Sequence, residues 1–220
     1  MHRYADRVDA GRRLAAALPP VDAPVVLGLP RGGVVVAAQV VGALGGDLGV
    51  VVVRKLGSPE NPEYAVGALA EDDEPLWDDR ALAVLRPDPF RLDRVLAQER
   101  QELERRRQLY RGGPLPHLAG RDVLVVDDGL ATGSTARAAL RRVRREDPAR
   151  LLLAVPVGSP DTVRALAAEA DLVVCPLQPP DWCHFARRLP RSRQHRHAKT
   201  AQLPWEDEKF IYLAVSRLPA

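Results

Sequence analysis

Residues 123–135 read VLVVDDGLATGST and hold the densest group of chemically able side chains in the sequence. Asp127 and Asp128 are adjacent and directly follow four apolar residues. Two neighbouring carboxylates can orient hydroxyl groups, bind a metal or steady a developing positive charge. Gly129, Leu130, Ala131, Thr132, Gly133, Ser134 and Thr135 follow, a turn of mostly small and hydroxylated residues that leads into a helical stretch. Backbone N–H groups in such a turn face inward, and a helix N-terminus adds partial positive charge, so the turn suits a phosphate monoester. The carboxylates repel that same anion. They suit an adjacent hydrogen-bond donor such as a sugar diol, or a metal. Ribose 5-phosphate meets both demands, with its phosphate in the turn and its 2′- and 3′-hydroxyls on Asp127 and Asp128. A capped turn without a ligand is the plain alternative.

Cations recur at two other places. The segment GLPRGGVVVA, 28–37, follows an apolar run. Gly32 and Gly33 allow backbone to approach a ligand closely. Arg31 adds a permanent charge with paired donors for phosphate. Arg54 and Lys55 close a second apolar run. Adjacent residues on a strand face opposite sides, so only one of the two addresses a ligand directly. The phosphate loop GxxxxGK[ST] and the dinucleotide fingerprint GxGxxG are both absent.

These groups need elements to hold them. Short apolar runs at 24–29, 48–56, 121–128, 151–157 and 171–177 predict strands. Between them, 3–18, 34–44, 88–113, 134–146 and 160–170 predict helices. Tyr4, Val8, Leu14 and Leu18 share a face of the first helix, which Pro19 and Pro20 end. The strands are apolar throughout rather than alternating, which implies a parallel sheet covered on both faces. The expected class is α/β: a doubly wound, mainly parallel sheet of about five strands covered by helices. A flexible loop over 57–75 and a long charged helix are inserted into it. Ligands in such sheets bind at the carboxyl ends of the strands, which is where the acidic pair, Arg31 and Lys55 all fall.

The 220 residues are 46% hydrophobic and 28% charged, with net charge +3, enough for a sizeable core and too mild a charge to imply nucleic-acid binding. Apolar runs are too short to span a membrane. Cys175 and Cys183 lack CxxC spacing and read as unpaired thiols in a reducing compartment. The N-terminal stretch lacks the apolar core of a signal peptide, which leaves the cytoplasm as the default location.

VLVVDDGLATGST resembles the ribose-phosphate signature of the type I phosphoribosyltransferase family, and the order of features over about residues 3–180 is similar as well. The resemblance implies an enzyme that transfers the 5-phosphoribosyl group of phosphoribosyl diphosphate to a nitrogenous, nucleobase-like acceptor, releasing pyrophosphate. It implies Mg²⁺ as cofactor, held mainly by substrate and water rather than by a set of protein ligands. Pro30, Arg31, Gly32 and Gly33 would hold pyrophosphate, with a cis peptide joining Pro30 to Arg31. Lys55 is favoured over Arg54 as a second pyrophosphate contact. Asp127 and Asp128 would orient the ribose hydroxyls and stabilise positive charge on the ring, with Asp128 a weaker candidate for general base. Residues 56–75 stand where the family carries a flexible lid, bordered by Glu63 and Tyr64; an ordinary hairpin is the alternative. Trp182 or Phe185 would stack on the acceptor base, core packing being the other reading.

On this resemblance residues 1–180 form a phosphoribosyltransferase-like domain and 181–220 an atypical basic segment. Between Arg187 and Lys199 stand six Lys or Arg and two His, a departure from the family. A solvated tail is the simplest account, with nucleic acid disfavoured as a partner. A non-catalytic regulator that binds a phosphoribosyl ligand, with the tail touching nucleic acid, is the rival function. The charged helix 88–111 suits either a partner subunit, as in a homodimer, or solvent.

Overall fold

The computed structural model describes residues 4–111 and 113–180. Five strands form one parallel sheet: β1 (Val25–Gly28), β2 (Asp47–Val50), β6 (Asp122–Val126), β7 (Arg150–Ala154) and β8 (Leu172–Val174). Their spatial order is β2-β1-β6-β7-β8. The direction of winding reverses between β1 and β6, which makes their shared carboxyl edge the switch point of the fold.

Alternation along each strand builds two cores. Val26, Leu124 and Leu152 point to one face, where α1 (Arg7–Ala17) and α2 (Gly32–Leu44) cover them with Leu14, Val36 and Val40. Val25, Leu27, Val123, Val125, Leu151 and Leu153 point to the other, against Ala139, Leu140 and Val143 of α5 (Ser134–Arg144) and Leu166 of α6 (Pro160–Leu166). Both faces are dry, which is why the sequence shows unbroken apolar runs. Truncating a central residue such as Leu124 to alanine would cost about 2–5 kcal/mol.

The expected strand over 48–56 is two strands in two sheets. Asp47–Val50 pairs with β1, whereas β3 (Val53–Gly57) joins a three-stranded antiparallel sheet with β4 (Ala65–Ala70) and β5 (Leu76–Trp77). Val51 N still donates to Gly28 O at 3.3 Å, but Val52 has already changed partner, pairing with Glu71. Glu71 N donates to Val52 O at 3.1 Å, and the Glu71 carboxylate accepts from Val52 N at 3.3 Å.

The expected mobile loop over 57–75 is therefore largely a hairpin strand. Val66, Ala68, Leu69 and Ala70 are buried, because this sheet packs between α4 (Pro89–Tyr110) and α5. The true turn between β3 and β4 spans only 58–64. A short α3 (Asp79–Leu85), absent from the expected elements, follows β5 and is capped by Asp78, which accepts from Ala81 N at 3.0 Å. Helix α4 starts at Pro89, and Asp88 caps it by accepting from Phe90 N at 2.8 Å and Arg91 N at 3.2 Å. Among the described residues no helix is long and apolar enough to cross a membrane.

Candidate functional site

The site is assembled where β1 and β6 end. Leu29 N donates to Val126 O at 2.8 Å, which keeps the two strand exits side by side. The Pro30–Arg31 peptide is cis, as the resemblance implied. Gly32 and Gly33 then carry the chain over the acidic loop. A Cβ on Gly32 would lie 1.9 Å from Asp128 Oδ2, and one on Gly33 would lie 2.6 Å from Val126 O and 2.9 Å from Asp127 Cα. Any side chain there would push the PRGG segment off the carboxylates, so both glycines are required by the close approach. Arg31 is exposed, and no hydrogen bond or ion pair within the described residues engages its guanidinium.

Asp127 is half-buried just beyond β6, its Oδ1 accepting from Asp128 N at 2.8 Å. Its carboxyl is raised well above the ordinary range, first by burial and then by the charge of Asp128; the Asp128 amide and the charge of Lys55 pull the other way. Asp128 is half-buried and accepts from Arg7 Nε at 2.8 Å. Arg7, at the start of α1, is a site residue that local sequence patterns do not reveal.

The turn after the acidic pair divides into support and opening. Leu130 is buried, its N–H donating to Val157 O at 2.9 Å and its C=O accepting from Ser159 N at 3.0 Å. It anchors the turn, with both of its backbone groups engaged within the protein. Ala131 and Thr132 are exposed, and Ser134 and Thr135 are half-buried. Among the described residues no acceptor takes the amides of Ala131, Thr132, Gly133, Ser134 or Thr135. Gly133 caps α5 in the left-handed conformation, φ 75°, with no side chain bonding the helix end. Thr162 Oγ1 donates to Ala131 O at 2.6 Å and steadies the far side of the turn. These five amides stand without a partner at a helix N-terminus, where partial positive charge favours an anion.

The two cations on β3 separate as strand geometry requires. Arg54 Nε pairs with Glu99 Oε2 on α4 at 2.6 Å and is withdrawn from the site. Lys55 is exposed on the opposite side, close enough to Asp127 for its charge to act on that carboxyl. Arg54 thus braces β3 against α4. Glu63 and Tyr64 lie exposed at the hairpin tip, where Ser58 N donates to Tyr64 O at 2.7 Å. Cys175 is a buried free thiol that burial pushes up to about 12, which disfavours the thiolate. Trp182, Phe185 and the basic stretch 187–199 lie outside the described residues. Among the described residues no group of three or more His, Cys, Asp or Glu side chains is placed to hold a metal ion.

The chain is similar to known proteins. Two Mycobacterium tuberculosis proteins, from strains CDC 1551 and H37Rv and each named "Putative phosphoribosyl transferase", are 45% identical to the chain over 179 residues. The match takes in 80% of this chain and 40% of each relative, so the chain spans well under half the length of these curated relatives. The crystal structure of TT1426 from Thermus thermophilus shares 42% identity, covers 96% of this chain and 98% of its own, and superposes with a TM-score of 0.71. The chain belongs to the type I phosphoribosyltransferase-like family. The family described as "Mitochondrial small ribosomal subunit Rsm22" also matches residues 116–220, just under half of the chain.

Proposed function

We propose that the chain transfers a 5-phosphoribosyl group from phosphoribosyl diphosphate to a nitrogenous, nucleobase-like acceptor, with release of pyrophosphate. The observation that carries this reading is the row of unengaged amides at 131–135 beside a carboxylate pair, at the switch point of the sheet. A phosphate monoester fits the amides, and a ribose diol lying toward β1 meets Asp127 and Asp128. The diphosphate at C1 then extends toward Arg31 on this edge and Lys55 on β3, two cations that have no ion-pair partner among the described residues.

As the C1–O bond breaks, positive charge grows on the ring and negative charge on pyrophosphate. Asp127 and Asp128 stabilise the first through the hydroxyls they hold. Arg31, Lys55 and the backbone of the PRGG segment stabilise the second. An acceptor nitrogen attacks C1 from the opposite face, so the protein supplies orientation and charge rather than a nucleophile. Mg²⁺ suits this arrangement as an ion that keeps several waters and is bound through substrate phosphates with few protein ligands; bound there it would neutralise the departing diphosphate.

The test is pyrophosphate release from phosphoribosyl diphosphate and Mg²⁺ across a panel of purine and pyrimidine bases. Acceptor-dependent release supports transfer. Binding of the diphosphate without release under any acceptor would instead favour the regulator reading.

A further inference from the structure

Arg7 reaches the acidic pair from 121 positions away, and several features fix it there. Helix α1 lies directly on α2: a Cβ on Gly11 would stand 2.7 Å from Gln39 Cβ and 2.9 Å from Val36 O. The helices therefore touch almost backbone to backbone, which sets the height of α1 over the sheet edge. Asp6 caps α1 by accepting from Asp9 N at 2.8 Å, which fixes the turn that begins with Arg7. Ahead of it, Tyr4 Oη donates to Pro156 O at 2.8 Å, beyond the end of β7. Residues 4–7 thus cross the carboxyl edge of the sheet as a strap. Gly32 makes the opening for the ion pair, since its Cβ would stand 2.8 Å from Arg7 Nε as well as against Asp128.

We propose that Arg7 is the positioning residue of the acidic pair, supplying the counter-charge that lets Asp127 and Asp128 face a sugar diol as two carboxylates. The inference rests on the phosphoribosyl reading above. Adjacent carboxylates disfavour double ionisation, and one tends to keep a proton. A protonated carboxyl presents a donor where a diol requires an acceptor. The charged groups facing the pair are Arg7 from α1, Lys55 from β3 and, at the rim, Arg31. Asp9 and Arg13, further along α1, are paired with each other at 2.8 Å. Arg7 on Asp128 and Lys55 near Asp127 give each acid one counter-charge, with Arg31 in excess at the rim. Asp127 is the more buried of the two acids and is already pushed toward its neutral form, so it takes up the proton when counter-charge is lost. The Arg7–Asp128 pair is itself about a third exposed on both sides and adds little to folding, so its replacement leaves the protein folded.

The experiment titrates the full chain with ribose 5-phosphate, from mildly acid to mildly alkaline pH, for the wild type, Arg7→Gln and Arg7→Lys. Thermal unfolding of each is recorded alongside. Arg7→Gln is expected to bind about tenfold more weakly near neutrality, with the pH midpoint of binding moved up by about one unit. Arg7→Lys is expected to keep the wild-type midpoint, because it keeps the charge. Equal weakening of both variants with no movement of the midpoint would assign Arg7 a purely structural role and overturn the proposal. Tighter binding by Arg7→Gln would overturn it too, by showing that the arginine blocks the acids. Wild-type protein that binds no ribose 5-phosphate at any pH removes the phosphoribosyl reading and the inference with it; wild-type binding with unaltered variants removes the inference alone.

Discussion

Glu71 and Asp128 each follow a strand, and each meets an arginine from a distant part of the chain; their surroundings differ in nearly every other respect. Glu71 is fully buried, and Arg111 grips it with two bonds, Nη1 to Oε1 at 3.0 Å and Nη2 to Oε2 at 2.6 Å. The remaining groups are consumed as well: Arg111 donates to Val50 O and Gly113 O, Val52 N donates to Glu71 Oε1, and Arg142 Nε donates to Glu71 O. Asp128 has one arginine bond, partial exposure and a neighbouring acid. The first cluster is closed and holds two sheets together where the chain passes between them. The second is open, with hydrogen-bonding capacity left over. Saturation of polar groups separates a structural ion pair from a candidate ligand site better than residue type does.

The sharpest way to break that contrast is Arg111→Ala. It strands a buried carboxylate and is expected to destabilise the protein by about 3–5 kcal/mol, read from denaturant unfolding. Near-wild-type stability would mean the closed cluster is not a lock. The corresponding change at the open cluster, Asp127→Asn with Asp128→Asn, should leave the fold intact and lower pyrophosphate release by about 10²–10³-fold. Equal turnover would remove the acids from the chemistry.

Asp127→Asn alone sharpens the comparison in the opposite direction. The raised carboxyl of Asp127 favours the folded state only while protonated; that contribution is present below its unfolded value and is lost as pH rises through the higher folded value. The asparagine variant is therefore expected to be more stable than wild type at neutral pH, by about 1 kcal/mol or a Tm rise of about 2–4 °C. The advantage should vanish in acid; a neutral-pH Tm below wild type would contradict the burial argument. The smallest effect belongs to a surface pair. Glu102 is held down to about 2 by Arg105 and then Arg106, so its contribution exists above the ordinary glutamate range and fades as pH falls toward 2. With Glu102 substantially solvated, Glu102→Gln should cost no more than about 0.5 kcal/mol at pH 7 by the same unfolding assay.

The legible parts of the sequence are the contiguous ones. β6, the acidic pair, the small-residue turn and α5 lie within 23 residues, so their order carries the geometry. The PRGG segment is legible for the same reason. The division between β2 and β3 is not, because Val50, Val51, Val52 and Val53 have no marker where the chain changes partner. The signal lies instead in Glu71, within an acidic run that resembles loop, and in Arg111, 40 positions further on. Arg54 and Lys55 are both long cations, and strand alternation sends them to opposite sides without fixing which side meets the site. Arg7 lies in a helix whose charges all suit solvent, and only the packing of α1 on α2 brings it over Asp128.

Lys55 belongs to the small antiparallel sheet, whereas Asp127, Asp128 and Arg31 belong to the edge of the large one. The charges around the acidic pair therefore come from two sheets, joined by a two-valine crossing, by the Glu71–Arg111 cluster and by Ala68 and Ala70 resting on Ala138. Sliding one sheet against the other would change the cleft's affinity for anions without moving any residue of the acidic loop.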